Sequence, residues 1–233
     1  TIDRNGVIHI HKLLDHQLLK KLDSNGNDYQ KNTGRKAGDI HTFILPNEKE
    51  LFFMATGTGR IEIWNRRTKK PVGAVAGHSG AITSMIKYKT KNGLPRLVTA
   101  STDFTVRFWS LESNLPQKIT SIDLAHWVNS LAFLNGTIWS ACDDSTLRLY
   151  DENGCLITEI KSKHEKAILC LQSDEEASEI WSTSKDLTLC IFNADNFELK
   201  EHIKLGFEAH SMHFTLDGHQ TRMIMGSKDM IHI

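Results

Sequence analysis

The chain of 233 residues is long enough for one domain or two, and its 39% hydrophobic content suits a globular protein that buries a core. Lysine plus arginine and aspartate plus glutamate number 28 each, so the formal net charge of zero argues against a general nucleic-acid or bilayer binder. No apolar run approaches the roughly 20 residues of a membrane span, and no secretory signal pattern is recognisable.

The four cysteines are Cys142, Cys155, Cys170 and Cys190; they form no C-x-x-C pair and lie in strand-like runs. This arrangement favours buried, reduced thiols over a disulfide framework. We therefore expect a cytoplasmic protein, with the nucleus as the alternative compartment.

The first segment reads as two strands, over residues 3–11 and 13–22, followed by a polar, turn-rich loop over residues 23–38. His9 and His11 share a face of the first strand, at a spacing that would let both bind one metal ion. No carboxylate or third histidine lies beside them, so we expect ordinary strand histidines, no metal site and no cofactor.

A hairpin pattern recurs along the chain. Residues 97–109, LVTASTDFTVRFW, read as two strands around a polar turn, and residues 76–78 upstream are Ala-Gly-His. The strand that follows the turn ends in an aromatic residue or its equivalent at His11, Trp64, Trp109, Tyr150 and Phe192, at intervals of 53, 45, 41 and 42 residues. A sixth unit runs to the last residue, one short of its expected aromatic position.

This pattern closely resembles the WD40 repeat, which implies an all-β fold of four-stranded antiparallel blades in a β-propeller. In that family a His, a hydroxyl, an Asp and an aromatic residue form a buried hydrogen-bonded set, here called the polar set. The His donates to the Asp, and the hydroxyl links the His to the aromatic residue. The matching positions are His78, Thr99, Asp103 and Trp109; His126, Ser140, Asp144 and Tyr150; and His164, Ser182 and Asp186, where Phe192 cannot take part.

Two units lack the polar set. The unit ending at Trp64 has Asp39, Met54 and Thr58 at the three other positions, so we expect packing to hold it and the indole N–H to use solvent. The last unit keeps His210 but has Ile224 and Lys228 at the next two positions.

Counting strands predicts two in the opening segment, four in each of four units and three at the end, or 5.25 blades in a single domain over residues 1–233. The units end near residues 11, 64, 109, 150, 192 and 233. Because an open ring exposes unpaired strand edges, we expect a seven-bladed parent from which about 75 residues are absent. The alternatives are a six-bladed ring with a missing strand set, or closure by another chain.

Two local motifs have a second interpretation. Gly77-His-Ser-Gly-Ala81 resembles a nucleophile elbow, but Ala81 replaces its last glycine and no strand-to-helix pattern surrounds it. We therefore predict no catalytic residue. Asn135-Gly136-Thr137 is formally a glycosylation sequon, yet Asn-Gly between apolar runs is a strong hairpin signal.

Eight basic residues fall in turns that the propeller resemblance places on one face of neighbouring blades. They are Arg66, Arg67, Lys69, Lys70, Lys87, Lys89, Lys91 and Arg96. Either they form a solvated rim, or they bind an anionic partner such as an acidic peptide, a phosphorylated segment, a phosphoinositide headgroup or RNA. Residues 64–67, Trp-Asn-Arg-Arg, also resemble the signature of propellers that act as substrate receptors in cullin-type ubiquitin ligases.

The opposite face is where this family usually binds peptides, across the channel mouth. Its candidate residues here are Ser79, Trp127, Asp143, Glu165 and Lys185, together with the 23–38 loop. We expect Trp127 to anchor a partner, since aromatic side chains dominate recognition hot spots. Simple packing at the strand edge is the alternative for Trp127.

The resemblance implies a non-catalytic scaffold that recruits protein or peptide partners into a larger assembly. The alternatives are a regulatory domain that recognises phosphoinositide or nucleic acid through the basic face, and a substrate receptor of a cullin-type ubiquitin ligase.

Overall fold

A computed structural model describes residues 51–55, 57–65, 67–68, 70–113, 115–217, 220–227 and 231–232, and the backbone of strands at residues 8–11, 18–22 and 42–44. These residues form 21 strands, and nothing in them is a helix long and apolar enough to cross a membrane. The strands are β1 (Ile8–His11), β2 (Leu18–Leu22), β3 (Thr42–Ile44), β4 (Leu51–Ala55), β5 (Arg60–Asn65), β6 (Lys70–Ala76), β7 (Ile82–Lys89), β8 (Pro95–Ser101), β9 (Thr105–Ser110), β10 (Gln117–Asp123), β11 (Val128–Leu134), β12 (Thr137–Cys142), β13 (Thr146–Tyr150), β14 (Leu156–Lys161), β15 (Ile168–Asp174), β16 (Glu179–Ser184), β17 (Thr188–Asn193), β18 (Leu199–Lys204), β19 (Ser211–Asp217), β20 (Gln220–Gly226) and β21 (Ile231–His232).

The strands pair with their neighbours in chain order into six antiparallel sheets. Sheet 1 contains β1 and β2, sheet 2 β3–β6, sheet 3 β7–β10, sheet 4 β11–β14, sheet 5 β15–β18 and sheet 6 β19–β21. The strand distribution is therefore two, four, four, four, four and three, as the repeat pattern predicts. The fold is all-β, with four-stranded antiparallel sheets that correspond to propeller blades.

Burial separates the strands of each sheet. In sheet 4 every residue of β12 is buried, whereas the fourth strand β14 alternates between exposed and half-buried residues. The same contrast holds in sheet 3 between β8 and β10. A strand that is covered on both faces reads as a continuous apolar run, and an edge strand reads as an alternation. The fourth strand of each four-stranded sheet is thus its solvent edge.

Hydrophobic cores lie between consecutive sheets. One core joins Phe53 and Ile63 of sheet 2 to Met85 and Trp109 of sheet 3. The other face of sheet 3 packs on sheet 4 through Val98, Phe108, Val128, Ile138 and Tyr150, among others. A third core joins Trp139 and Leu149 of sheet 4 to Ile168 and Phe192 of sheet 5. Sheets 3 and 4 are therefore each packed against the two sheets beside them.

Polar side chains at the start of β7 connect sheet 3 to sheet 4. The Thr83 hydroxyl donates to the carbonyl of Val128, and the Ser84 hydroxyl accepts the Leu131 N–H at 3.0 Å. A shift of the β7–β8 register between Ile82 and Ser84 leaves Thr83 outside the ladder and available for this contact.

Sheet 4 repeats this connection to sheet 5. The Asn129 amide donates to the carbonyl of Ile168 at 2.8 Å, and the Ser130 hydroxyl accepts the Leu171 N–H at 3.0 Å. In β15 the corresponding pair is Leu169 and Cys170. Where sheet 5 meets sheet 6, the buried Thr183 hydroxyl donates to the carbonyl of Ala209 at 2.8 Å, so a polar contact is present there as well.

The structure forms the hairpin turn that the Asn-Gly pair predicts. Asn135 and Gly136 have φ angles of 50° and 78°, the two left-handed positions of that turn.

Cys155 is exposed, which corrects the prediction that every cysteine is buried. It ends a turn in which the Asp151 carboxylate accepts the N–H groups of Asn153 and Cys155, so the thiol faces outward.

The other three thiols are free as well: Cys142 and Cys190 are buried and Cys170 is half-buried.

Several sequence predictions lie outside the described residues. These are the loop at 23–38, Asp39, Arg66, Lys69, Lys228 and the side chains of His9 and His11.

Candidate functional site

The structure brings together all four members of the polar set in sheet 3. Trp109 Nε1–H donates to Thr99 Oγ1 at 2.9 Å, and Thr99 Oγ1 lies 2.7 Å from His78 Nε2. His78 Nδ1 lies 3.0 Å from Asp103 Oδ2. One proton arrangement satisfies every contact: Thr99 donates to Nε2, and a neutral imidazole donates from Nδ1 to the carboxylate.

Burial governs the charge of this set. Desolvation lowers the pKa of His78 and outweighs the attraction of Asp103. Burial opposes ionisation of Asp103, but hydrogen bonds from Thr105 and from the Ser79 N–H, with the nearby imidazole, hold its pKa well below the usual range. The set therefore consists of an ionised carboxylate and a neutral imidazole at neutral pH.

A threonine two residues after the aspartate binds that aspartate in sheets 3, 4 and 5, and the sequence interpretation missed it. Its hydroxyl donates to the aspartate Oδ1 at 2.7, 2.6 and 2.5 Å in sheets 3, 4 and 5. The pairs are Asp103 and Thr105, Asp144 and Thr146, and Asp186 and Thr188. The signal was available, because Asp-x-Thr occurs in all three turns.

Sheet 4 does not form the predicted set of His126, Ser140, Asp144 and Tyr150. The His126 side chain is 50% exposed, with Nε2 3.9 Å from Asp144 Oδ2. Arg148 instead holds that carboxylate, with Nη2 2.8 Å from Oδ2. Ser140 donates to the carbonyl of Arg148, and the buried Tyr150 hydroxyl has no partner among the described residues.

The length of the connecting segment explains this difference. His78 and His164 each lie four residues before the first strand of their sheet, at Ile82 and Ile168. His126 lies only two residues before Val128, where β11 begins. The shorter segment leaves the imidazole at the surface, and the guanidinium of Arg148 provides the carboxylate with a charged partner.

Sheet 5 forms the predicted shortened set. His164 Nε2 lies 2.8 Å from Ser182 Oγ, and its Nδ1 lies 3.5 Å from Asp186 Oδ2. Nδ1 also lies 2.8 Å from the Thr188 hydroxyl. Burial lowers the pKa of His164, as in sheet 3.

The unit ending at Trp64 corrects one expectation. Trp64 is fully buried, and its Nε1–H donates to Glu62 Oε2 at 3.2 Å rather than to solvent. Met54 is buried in the position of the hydroxyl, and Thr58 is exposed. In sheet 6 the exposed His210 lies 3.4 Å from Glu208, not in a polar set.

The ends of sheets 3–5 that carry the turns with Asp103, Asp144 and Asp186 are here called the upper end. Ser79 and Glu165 lie there, because their N–H groups donate to Asp103 and Asp186 at 2.9 and 2.7 Å. Three equivalent carbonyls at this end accept a turn N–H. The pairs are Ala81 with Thr102, Trp127 with Asp143, and Ala167 with Lys185. All five candidate partner-binding residues are therefore at the upper end.

Trp127 packs against the neighbouring sheet at this end. Its ring stacks on Phe104, with centroids 6.1 Å apart and planes 17° from parallel. The two side chains remain 40% and 47% exposed. The pair is an aromatic surface that spans sheets 3 and 4.

The opposite, lower end carries the predicted basic residues, but the structure does not group all of them. Arg96 is paired with Glu112 at 2.6 Å. Lys91 extends over Gly136 of sheet 4, and its N–H binds the Glu152 carboxylate. Arg96 and Lys91 therefore make their own contacts within the fold, which corrects the prediction that all eight basic residues form one cluster.

The remaining described basic residues are on sheets 2 and 3: Arg67, Lys70, Lys87 and Lys89. The neighbouring residues of the ligase-like signature have roles within the fold. Trp64 is in the core, and Asn65 Oδ1 accepts the Thr68 N–H at 2.8 Å, which closes the turn.

Comparison with known proteins identifies the repeats. The family model described as "WD domain, G-beta repeat" matches residues 69–110 and 117–151. The chain contains WD40 repeats. Each matched WD40 segment covers the fourth strand of one sheet and the first three strands of the next. The WD40 repeat in sequence is therefore offset by one strand from the sheet it helps to build.

Three relatives match parts of the chain. Myosin heavy chain kinase C of Dictyostelium discoideum is 24% identical over 55% of this chain and 16% of its own length. The kinesin-like protein KIF21B of Mus musculus is 22% identical over 70% of this chain and 10% of its own length. An uncharacterized WD repeat-containing protein of Schizosaccharomyces pombe is 30% identical over 47% of this chain and 30% of its own length. The chain thus spans less than a third of each relative.

A solved structure supports the fold. The crystal structure of the computationally designed Ika8 protein superposes with a TM-score of 0.68 at 17% identity, over 97% of this chain and 64% of that one. WD40 repeats indicate a protein-interaction scaffold in general and are typically non-catalytic.

Proposed function

We propose that the chain is a non-catalytic platform that recruits a polypeptide partner into a larger assembly, and that this partner binds the upper end of sheets 3 and 4. The exposed, stacked rings of Phe104 and Trp127 carry the proposal. The WD40 repeats support the general scaffold role. The location of the contact rests on the three observations below.

The first observation is the residue type at position 127. The equivalent positions before β7 and β15 are Ala81 and Ala167, whose carbonyls accept a turn N–H as that of Trp127 does. This backbone contact therefore does not need a large side chain. Trp127 places a large ring at that point and leaves 40% of it exposed. Tryptophan is enriched at interaction hot spots because it offers a large rigid area with a polar tip.

The second observation concerns the backbone of Phe104. The turn imposes a left-handed conformation on its third residue, with φ of 64°, 64° and 68° at Phe104, Ser145 and Leu187. Asparagine or glycine adopts this conformation at lower cost, and a bulky residue costs on the order of 1 kcal/mol there. A phenyl ring that stays 47% exposed at a strained position supports a role in binding.

The third observation is the charge around the rings. Asp143, Glu165 and Lys185 lie on the turns and connections of the same end. An aromatic centre with a polar rim is the usual composition of a protein-interaction surface. The upper end therefore fits a peptide with an apolar anchor and flanking charges.

The free thiols support a reducing compartment for this function. We place the proposed scaffold in the cytoplasm on that basis. The nucleus fits the same chemistry.

Selection from a random peptide library, with the full chain as bait, tests the proposal. The selected peptides should bind Trp127→Ala at least about tenfold more weakly, because a hot-spot aromatic contributes about 1.4 kcal/mol or more. Leu156→Ala is the matched control, since Leu156 is 57% exposed on β14, away from the upper end. Equal binding by all three proteins would reject the upper-end site.

A further inference from the structure

Lys87 and Lys89 lie on one face of β7 at the lower end of sheet 3. Side chains alternate along a strand, so they continue the row that begins with Met85. Met85 packs in the core between sheets 2 and 3. The two lysines therefore face the groove between those sheets, with their Cα atoms about 6.6 Å apart.

The edge of an apolar core lies beside Lys87. It pairs across the ladder with Leu97, which is fully buried in the core between sheets 2 and 3. Leu51 of sheet 2 belongs to the same core and pairs with Asn65, the last residue of β5. The groove therefore has an apolar floor, with an ammonium group at its mouth.

Among the described residues, Lys87 and Lys89 have no anionic partner. Neither side chain forms an ion pair or a side-chain hydrogen bond with any residue that the structure describes. Desolvation, followed by repulsion from Lys89, lowers the pKa of Lys87. On sheet 2 the exposed Arg67 and Lys70 are at the same end but beside β6, the fourth strand, whereas the two lysines are on β7, the first strand of sheet 3. We call the space beside Lys87 and Lys89, between sheets 2 and 3, the basic groove.

The surroundings limit the kind of anion. On the other side of sheet 3, Glu152 accepts the Lys91 N–H, and its carbonyl accepts the Tyr88 hydroxyl. Glu112 is exposed at the same end, beside Arg96. An extended polyanion, such as RNA, or a flat anionic membrane would meet these carboxylates. A short anionic segment that enters the groove would not.

We propose that the basic groove binds an anionic segment of a partner polypeptide, whose carboxylate or phosphate groups lie between Lys87 and Lys89. The apolar stems of the lysines and the neighbouring core edge would contact its aliphatic atoms. This surface is separate from the upper end, so one chain could hold two segments at once.

Fluorescence anisotropy with a labelled oligo-glutamate peptide, and with a phosphoserine peptide of equal length, tests the proposal on the full chain. We expect binding that weakens as salt is raised, and a loss of at least about tenfold in Lys87→Glu/Lys89→Glu. Lys87→Met keeps the aliphatic stem and should lose part of the affinity. Trp127→Ala should bind the probe normally.

The matched control is Lys161→Glu/Lys204→Glu, which makes the same charge change at exposed lysines that end β14 and β18. Equal loss of binding in the control and in the groove variant would contradict the proposal. So would equal affinity for an uncharged oligo-glutamine peptide. Preference for single-stranded RNA or phosphoinositide vesicles, lost in the groove variant, would assign the groove to that ligand and overturn the polypeptide proposal.

Discussion

The guanidinium of Arg148 binds the carboxylate of Asp144 through Nη2 and Oδ2, 2.8 Å apart, where a histidine holds the aspartate in the neighbouring sheets. Arg107 occupies the same strand position in sheet 3, but its Nη2 lies 3.6 Å from Asp103 Oδ2. Asp103 has the imidazole of His78 as a second partner. The two arginines therefore differ in how much their sheets depend on them.

Removing these arginines should have unequal effects on stability. Arg148→Met leaves the Asp144 carboxylate, which is only 18% exposed, without its charged partner. We expect the free energy of unfolding in urea to fall by about 2 kcal/mol. Arg107→Met should cost less than about 1 kcal/mol, because His78 remains. Equal losses would show that the histidine does not support Asp103.

Replacing the exposed His126 should change stability less than replacing a buried histidine. His126→Ala should change the free energy of unfolding by less than about 0.5 kcal/mol, as expected for a surface substitution. His164→Ala removes the imidazole that contacts the Ser182 hydroxyl and the Asp186 carboxylate. The free energy of unfolding should fall by about 2–3 kcal/mol. Urea denaturation measures both. A large loss in His126→Ala would contradict its exposed position.

The pKa directions predict a loss of stability on mild acidification. Burial lowers the pKa of His78 and His164 in the folded chain. Below an ordinary histidine pKa of about 6.5, the unfolded chain therefore binds protons that the folded chain does not, so stability falls as pH drops from about 7 towards 5. The lowered pKa values of Asp103 and Asp186 continue this loss below about pH 4.

Melting temperatures across that range measure the effect. His78→Asn/His164→Asn should show a smaller fall between about pH 7 and pH 5 than the unmodified chain. His126→Asn, which replaces an exposed imidazole, should retain the full fall. A fall of the same size in all three proteins would place the titrating groups elsewhere.

Phe104→Asn should raise stability and weaken peptide binding. Asparagine accepts the left-handed backbone at this position, so the free energy of unfolding should rise by about 0.5 kcal/mol. The partner peptides should bind more weakly, because the stack with Trp127 is lost. Leu187→Asn is the control: it relieves the same strain in sheet 5 and should leave binding unchanged. Unchanged binding in Phe104→Asn would remove the phenyl ring from the proposed site.

The fold was predictable because the determining signals are local. Turn residues, the alternation of each outer strand and the final aromatic recur at nearly constant intervals, so the strand distribution follows from the sequence. The failure at His126 has a different cause. His126 has the matching residue type, but it lies two residues before β11, whereas His78 lies four residues before β7.

Other details depend on which side chain reaches a given point in space. The indole of Trp64 bonds to Glu62, and Arg96 pairs with Glu112, through side-chain contacts that repeat matching does not specify. The stack of Trp127 on Phe104 joins residues of two sheets. Such contacts emerge only when neighbouring sheets are packed together.

Side-chain contacts from the first strands join sheet 3 to sheet 4 and sheet 4 to sheet 5, and the Thr183 hydroxyl joins sheet 5 to the carbonyl of Ala209, just before sheet 6. In a linear array, cooperativity is transmitted through nearest-neighbour contacts and weakens where a contact weakens. Sheets 3, 4 and 5 should therefore exchange their amide protons as one unit. Partner segments bound at the upper and lower ends of these sheets would thus be attached to the same cooperative unit.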